Sequence, residues 1–237
     1  MTTGVPFASE ASEAIGTPVV TFRSGGDAIT DGSVVYSNTS GNTWTAVYTA
    51  NASDTDGAVT YSIAFSDTSG NAGTAVTSGS GSVTTDTTAP TLSNVSITSD
   101  NSTSTLAKAN DDVTLTFTAS ESISTPTVTF RSGGDAITDG SVVYRNTSGN
   151  TWTAVYTANA SDTDGAVTYS IAFSDTTGNA GTAVTSGSGS VTTDTTAPTL
   201  SNVSITSDNS TSTLAKANDD ITLTFTCLLY TSDAADE

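Results

Sequence analysis

Histidine is absent from this chain of 237 residues, cysteine and methionine occur once each, and only five residues are basic. Without histidine, an abundant serine has no imidazole to activate it, so the usual catalytic triads are excluded. The single cysteine, Cys227, cannot form an internal disulfide. The sequence also contains no cluster of zinc ligands and no glycine loop that would cradle a phosphate. We therefore predict a protein that is not an enzyme.

The charge is strongly one-sided, with 24 acidic residues and a formal net charge of −19. Such a chain repels phosphates, which argues against nucleic-acid partners and against anionic membranes. No stretch is apolar for long enough to span a bilayer, so we expect no membrane insertion in this segment. The N-terminus also lacks the basic and apolar regions of a signal peptide. An acidic surface fits a soluble extracellular protein and suits divalent cations.

The sequence repeats itself with an offset of 108 residues, since the segment that begins at Thr17 returns at Thr125. Residues 17–118 and 125–226 differ at four positions. These are Val19/Thr127, Ser37/Arg145, Ser69/Thr177 and Val113/Ile221. Self-similarity at a fixed period is the signature of a tandem array of like domains. We call residues 1–88 the first repeat, residues 89–196 the central repeat and residues 197–226 the start of a third repeat.

The repetition stops abruptly between Thr226 and Cys227, where "TFTASES" of the earlier copy is replaced by "TFTCLLY". Residues 227–237 can be back-translated into a string that resembles the mosaic-end adapter of transposon-based sequencing libraries. We therefore interpret 227–237 as translated adapter and give its thiol and apolar run no functional weight. The alternative is a genuine terminus that diverges from the repeat.

Alternating apolar residues predict seven short strands in the central repeat, because period 2 places alternate side chains on one face. The predicted strands lie at about 91–97 (strand A), 112–118 (B), 125–131 (C), 141–145, 151–157 (E) and 167–173 (F), with a last strand (G) split around Gly187 and Gly189. Turn sequences such as "SGGDAITDG" and "SDTDG" separate them. This pattern has no helical period and predicts an all-β sandwich.

Three segments of the central repeat carry a resemblance to a known family. "DTTAPTLSNVSIT", "NTWTAVYT" and "FSDTTGNAGTAV" are similar to the tandem bacterial Ig-like repeats of large secreted and cell-surface proteins, many of them adhesins. The resemblance covers nearly all of residues 1–226. It implies a tandem array of Ig-like β-sandwiches at the bacterial cell surface or outside the cell, and no catalytic residues.

The resemblance also implies a function: a structural or adhesive spacer, whose partners are the neighbouring repeats of the same chain. Other domains of the protein would then bind host or environmental glycans or proteins. The alternative is a ligand-binding module, most simply for carbohydrate, that accompanies a large secreted enzyme or adhesin. The two differ in that a pure spacer binds no glycan itself.

The copies are unequal in the strands they contain. The first repeat, 1–88, lacks strand A and most of strand B, whereas 89–196 is complete. Residues 197–226 hold strands A and B alone, and we expect them to leave their apolar side chains exposed. These side chains are Leu200, Val203, Ile205, Leu223 and Phe225.

Carboxylates are the remaining candidates for chemistry, and the sandwich topology groups them at its two ends. Where repeats follow one another, the acidic end of one faces the opposite end of the next. The resulting candidate Ca²⁺ ligands at repeat junctions are Asp54, Asp56, Asp86, Glu121, Asp162, Asp164, Asp175 and Asp194. Ca²⁺ takes six to eight oxygen ligands, and clustered acids repel one another without it. The alternative is that aspartate and asparagine simply fill turns and keep the surface soluble.

A pair such as Asp162 and Asp164 could in principle cleave glycosides, but neighbouring acids in a turn are more often structural.

Overall fold

The computed structural model describes residues 9–10, 13–29, 33–40, 42–137 and 140–228. Within these ranges every regular element is a β-strand, which confirms the predicted all-β class. Residues 229–237, most of the segment interpreted as adapter, lie outside them, as does the N-terminal stretch 1–8.

The first repeat forms two small sheets. Its strands are β1 (Ser9–Glu10), β2 (Val19–Ser24), β3 (Asp27–Ala28), β4 (Val35–Ser40), β5 (Thr43–Val47), β6 (Gly57–Ala64) and β7 (Thr84–Thr85). One sheet has the order β1-β5-β4 and the other β3-β2-β6-β7. The ring centroids of Phe22 and Tyr48 lie 4.9 Å apart and connect the two sheets across the core.

The central repeat is a sandwich of a four-stranded and a five-stranded sheet. Its strands are β8 (Leu92–Ser99), β9 (Leu106–Ala107), β10 (Asp112–Ala119), β11 (Thr127–Ser132), β12 (Asp135–Ala136), β13 (Val143–Ser148), β14 (Thr151–Thr157), β15 (Gly165–Ala172) and β16 (Thr192–Thr193). The sheets have the orders β13-β14-β10-β8 and β12-β11-β15-β16-β9. The chain crosses between them after β8, β9, β10, β12 and β14, and its main strands have the Greek-key connectivity of an Ig-like sandwich.

The core of the central repeat lies between these sheets and is built from alternate residues of each strand. Val113, Leu115 and Phe117 of β10 are fully buried, while the threonines between them are half-buried. The Phe130 ring packs on Tyr156 from the opposite sheet, with centroids 4.8 Å apart. The period-2 pattern thus supplies one apolar face to each sheet, and burial of both faces holds the sandwich together.

Strand β8 departs from simple alternation at Asn94, whose φ of 51° lies in the left-handed region. The register of β8 against β10 shifts at this point, between Thr116 and Thr118. Such a bulge inserts one residue into a strand. It explains why Leu92 and Val95, three residues apart, both pack against the core.

Two glycines allow the turns "RSGGD" and "TDG" to touch. Gly165 has a φ of 140°, and a Cβ added to it would lie 2.8 Å from the Cα of Gly133. A Cβ at Gly133 would lie 2.6 Å from the carbonyl oxygen of Asp164. The glycines in these turns are therefore accounted for by close backbone contact.

The third segment forms one antiparallel hairpin of β17 (Thr199–Ser207) and β18 (Ile221–Leu228), which we call the C-terminal hairpin. It has the same bulge as β8, with a φ of 50° at Asn202. Strand β18 runs past Thr226, so that Cys227 lies opposite Leu200. The side chains predicted to be exposed in this hairpin are exposed in the structure.

Candidate functional site at the repeat junction

A carboxylate of the first repeat fastens the linker that leads into the central repeat. Asp56 Oδ1 accepts hydrogen bonds from the backbone N–H and the hydroxyl of Thr87, at 2.6 and 2.8 Å, and Oδ2 accepts one from the Thr88 hydroxyl. These bonds, led by the one from Thr88, lower the pKa of Asp56 below its ordinary value. Hydrogen bonds to the ionised form have this effect because they stabilise the charge.

The same arrangement recurs one period later. Asp164 accepts hydrogen bonds from the backbone N–H and hydroxyl of Thr195, at 2.7 and 2.9 Å, and from the Thr196 hydroxyl at 2.6 Å. The bond from Thr196 is the first cause of the lowered pKa of Asp164. The linker after each repeat is thus held to the turn that precedes β6 or β15, and this fixes the direction in which the chain leaves.

On the other side of the junction, a tight loop after β15 is closed by Asp175. Its Oδ1 accepts hydrogen bonds from the backbone N–H groups of Gly178 and Asn179, and its Oδ2 accepts one from Asn179 Nδ2 at 2.7 Å. Burial pushes the pKa of Asp175 upward, but hydrogen bonds from Asn179, Gly178 and Thr177 outweigh it and leave the pKa below its ordinary value. This carboxylate therefore stays ionised in a buried position.

The loop closed by Asp175 reaches across the junction to Asp86 in the linker. Asn179 Nδ2 donates to the Asp86 carbonyl oxygen at 3.0 Å, and the Thr177 hydroxyl donates to Asp86 Oδ2 at 3.3 Å. Asn179 consequently bonds to Asp175 and Asp86 at once. The two repeats are therefore joined by side-chain hydrogen bonds as well as by the covalent chain.

Three carboxylates meet at this contact. One oxygen atom each of Asp86, Glu121 and Asp175 lies within 4.8 Å of the others. The pKa of Glu121 is raised, first by partial desolvation and then by the negative charges of Asp86, Asp175 and Asp56. Like charges at this separation disfavour ionisation, so the junction carries an electrostatic cost at neutral pH.

A divalent cation would remove that cost. The three carboxylates offer hard oxygen ligands of the kind that Ca²⁺ and Mg²⁺ take, and water or main-chain carbonyls would complete the coordination. Asp175 has fewer lone pairs to offer than the other two, because its oxygens already accept the hydrogen bonds that close its loop. Asp86 and Glu121 are therefore the stronger candidate ligands.

The other predicted ligands are not members of this group of three carboxylates. Asp54 and Asp162 are buried in their own turns. There they accept hydrogen bonds from the backbone N–H groups of Asn51 and Asn159, each 2.8 Å long. Asp56 and Asp164 hold linkers, as described above. Asp194 is exposed and accepts the backbone N–H of Thr196 at 3.1 Å.

Sequence reasoning missed the hydroxyl groups of the junction. Thr87 and Thr88 fasten the linker, and Thr177 crosses to Asp86. A signal for Thr177 was present, because it is one of the four positions at which the copies differ, with Ser69 as its counterpart. In a chain so rich in threonine, nothing in the sequence distinguished the linker threonines from those on strand faces.

No protein-family model matches the sequence, and no curated protein matches it. Among solved structures, the chain is similar to the titin domains Z1 and Z2 in complex with telethonin, with 17% identity over 82% of this chain and 89% of that one and a TM-score of 0.26. The D00–D0 domain of intimin matches with 15% identity over 78% and 88% of the two chains and a TM-score of 0.26. Titin domains A168–A170 match with 13% identity over 94% and 74% and a TM-score of 0.28. The assignment of an Ig-like sandwich rests on the strand pairing of the central repeat.

None of the residues that the structure describes belongs to a helix of the length and apolar character that a bilayer crossing requires.

Proposed function

We propose that this chain is a non-catalytic spacer: part of a tandem array of Ig-like repeats in a large secreted or surface-anchored bacterial protein. The main support for this proposal is that the linker is hydrogen-bonded to both repeats. Asp56 binds Thr87 and Thr88 on the side of the first repeat, and Asn179 binds Asp86 on the side of the central repeat. A linker held at both ends transmits orientation and force along the array, which is what a stalk requires.

The proposed location is the bacterial cell surface or the extracellular space, where other domains of the protein would bind glycans or proteins of a host or an environmental surface. The acidic composition supports a role in spacing and solubility. The repeats themselves would contact only their neighbours.

The stiffness of the junction can be measured by small-angle scattering and by NMR relaxation of the full chain. Asp56→Ala together with Asn179→Ala should increase the independent motion of the first and central repeats. Asp67→Ala is the matched control for a loop carboxylate, because Asp67 closes the loop of the first repeat that corresponds to the Asp175 loop. Unchanged relative motion in the double variant would contradict the proposal, and so would binding of the chain to a glycan array.

We further propose that the junction binds Ca²⁺, which would stiffen the array in calcium-containing surroundings. The support is the group of Asp86, Glu121 and Asp175, with oxygens within 4.8 Å, together with the raised pKa of Glu121. A cation between these carboxylates would relieve their repulsion and draw linker and loop together.

Thermal unfolding of the full chain in Ca²⁺ and in a chelator tests this second proposal. The melting temperature should be higher in Ca²⁺, and Glu121→Gln should remove most of the difference. Glu13→Gln is the control, because Glu13 is the counterpart of Glu121 in the first repeat and lies away from this junction. Equal melting temperatures of the unsubstituted chain in both buffers would refute Ca²⁺ binding and leave the spacer proposal standing.

A further inference from the structure

Each aspartate that fastens a linker is followed directly by glycine. Asp56 precedes Gly57, and Asp164 precedes Gly165. An Asp–Gly pair is prone to isomerise without an enzyme, because glycine carries no side chain that would shield its backbone nitrogen from the neighbouring carboxyl carbon. In both repeats, the carboxyl group that holds the linker is therefore also the reacting group of a possible backbone rearrangement.

This isomerisation exchanges one amide bond for another and needs no co-reactant besides water. The glycine nitrogen attacks Cγ of the protonated aspartate side chain, so that a C–N bond forms and one carboxyl oxygen leaves as water with the amide proton. Water then adds to the former main-chain carbonyl carbon of the cyclic imide. The original C–N bond breaks there, and the nitrogen regains its proton. The product is isoaspartate, in which the backbone runs through Cβ and the free carboxylate is attached to Cα.

In the folded chain the linker occupies both oxygens of the reacting carboxyl group. Asp164 Oδ1 accepts hydrogen bonds from the backbone N–H and the hydroxyl of Thr195, and Oδ2 accepts one from the Thr196 hydroxyl. The first step of the reaction removes one of these oxygens and turns Cγ toward the nitrogen of Gly165. The bonds to the linker have to break before this can happen, so the attached linker opposes the reaction.

The turn that contains the Asp–Gly pair also opposes the product. Gly165 is paired with Thr193 on β16, and a Cβ added to Gly165 would lie 2.8 Å from the Cα of Gly133. A Cβ on Gly133 would in turn lie 2.6 Å from the carbonyl oxygen of Asp164. Isoaspartate adds one carbon to the backbone between these closely packed positions, where there is no room for it. The turn must therefore loosen for isoaspartate to form.

We propose that Asp56 and Asp164 are sites of isoaspartate formation, that the attached linker suppresses the reaction, and that isomerisation after release of the linker prevents its return. Release frees both carboxyl oxygens at once and removes the linker from the turn. The proposal depends on the chemistry of the linker attachment alone, so it does not require that the chain acts as a spacer.

The permanence of the release follows from the shape of isoaspartate. Its carboxylate is attached directly to Cα, one carbon closer to the main chain than the carboxylate of aspartate. Hydrogen bonds weaken steeply when donor and acceptor move apart, so this shorter side chain in a displaced turn no longer holds Thr195 and Thr196. A linker that is released and rebinds quickly leaves Asp164 intact, whereas a linker that stays free long enough for the reaction is not held again.

Peptide mapping with electron-transfer fragmentation, which distinguishes isoaspartate from aspartate, measures the reaction during long incubation of the full chain at neutral pH. Cleavage after Arg145 and Lys216 releases a peptide whose single Asp–Gly pair is 164–165. Asp164 in the folded chain should isomerise at least about tenfold more slowly than in a synthetic peptide of residues 161–168, because the three hydrogen bonds have to break first. Equal rates in the chain and the peptide would overturn the proposal.

Replacing the linker threonines by valine removes their hydroxyl donors and keeps the size of the side chains. Thr195→Val together with Thr196→Val should raise the rate at Asp164 at least about fivefold and leave Asp56 in the same molecule unchanged. Thr87→Val together with Thr88→Val should accelerate Asp56 alone, because these threonines hold Asp56. Each variant thus contains its own matched control. An unchanged rate at the released aspartate, or equal acceleration at both sites, would contradict suppression by the linker.

Amide hydrogen exchange at Thr195 tests whether the release is permanent, because the backbone N–H of Thr195 donates to Asp164. Chains with isoaspartate at position 164 are separated from unmodified chains by chromatography after incubation. Their Thr195 amide should exchange faster than in unmodified chains, while the Thr87 amide, which donates to Asp56, should exchange at the same rate in both. Equal protection of Thr195 in the two forms would show that isoaspartate still holds the linker and would overturn the proposal.

Discussion

Two phenylalanines in the same local sequence, "TLTFT", should respond very differently to replacement by alanine. Phe117 is fully buried between the sheets of the central repeat, and its counterpart Phe225 on the C-terminal hairpin is more than half exposed. Local sequence, strand position and intrinsic propensity are the same at both sites. The difference between the two substitutions therefore isolates the contribution of tertiary packing.

The expected magnitude follows from burial. Removing a buried phenylalanine side chain forfeits its transfer free energy and leaves a cavity, which together cost about 3–5 kcal/mol. A domain of this size has a free energy of unfolding of about 5–15 kcal/mol, so Phe117→Ala should remove about a fifth of it or more. Phe225→Ala, on an exposed site, should change the free energy of unfolding by no more than about 0.5 kcal/mol.

Urea unfolding followed by tryptophan fluorescence measures this difference. Trp152 lies opposite Phe117 on β14, and replacing Trp44 by phenylalanine in all variants leaves Trp152 as the reporter of the central repeat. A loss below about 1 kcal/mol for Phe117→Ala, or equal losses at both positions, would show that the assigned core is wrong.

Three further outcomes test the electrostatics and the backbone. The pKa of Glu121 is raised above its ordinary value of 4.5, so the folded junction binds this proton more tightly than the unfolded chain does. Thermal unfolding should therefore show that the stability falls as the pH rises above 4.5. Glu121→Gln should remove this dependence on pH. For Asp111, hydrogen bonds from neighbouring groups overcome desolvation and lower the pKa to about 2. Its contribution to the free energy of unfolding should be complete above pH 3.8 and lost as the pH falls toward 2. If the chain and its Asp111→Asn variant lose stability equally over this range, the reasoning is contradicted. Gly165→Ala should lower the free energy of unfolding in urea titrations by about 1–3 kcal/mol, since its Cβ would meet Gly133, and Gly134→Ala, with open space around it, should cost less.

The strands of the central repeat could be placed from the sequence because their signal is local. Alternation of apolar residues and threonine marked β10, β14 and β15 to within about two residues. Short pairings carry no such signal. Leu106–Ala107 forms a strand only because Thr192–Thr193 lies beside it, and the last strand is reduced to those two residues and isolated bridges at Val184 and Ser188.

The candidate site was less accessible to sequence reasoning. Topology alone predicted which ends of the repeats face each other, and Asp86, Glu121 and Asp175 do lie together. Asp54 and Asp162, which look equivalent to them in the sequence, are instead buried in turns. An aspartate in a turn can accept hydrogen bonds from the N–H groups of its own loop, or its carboxylate can face outward. Which of the two occurs depends on the backbone geometry, which cannot be read from composition.

The sequence by itself determined the all-β class, the period of 108 residues and the faces of the strands, because these follow from alternation and self-similarity along the chain. Only the tertiary structure decided which of two near-identical segments is a core and which is a surface. Leu115 and Leu223 have the same neighbours in sequence, yet one is buried and the other exposed. Burial depends on what covers a strand, and the covering sheet comes from residues distant in sequence.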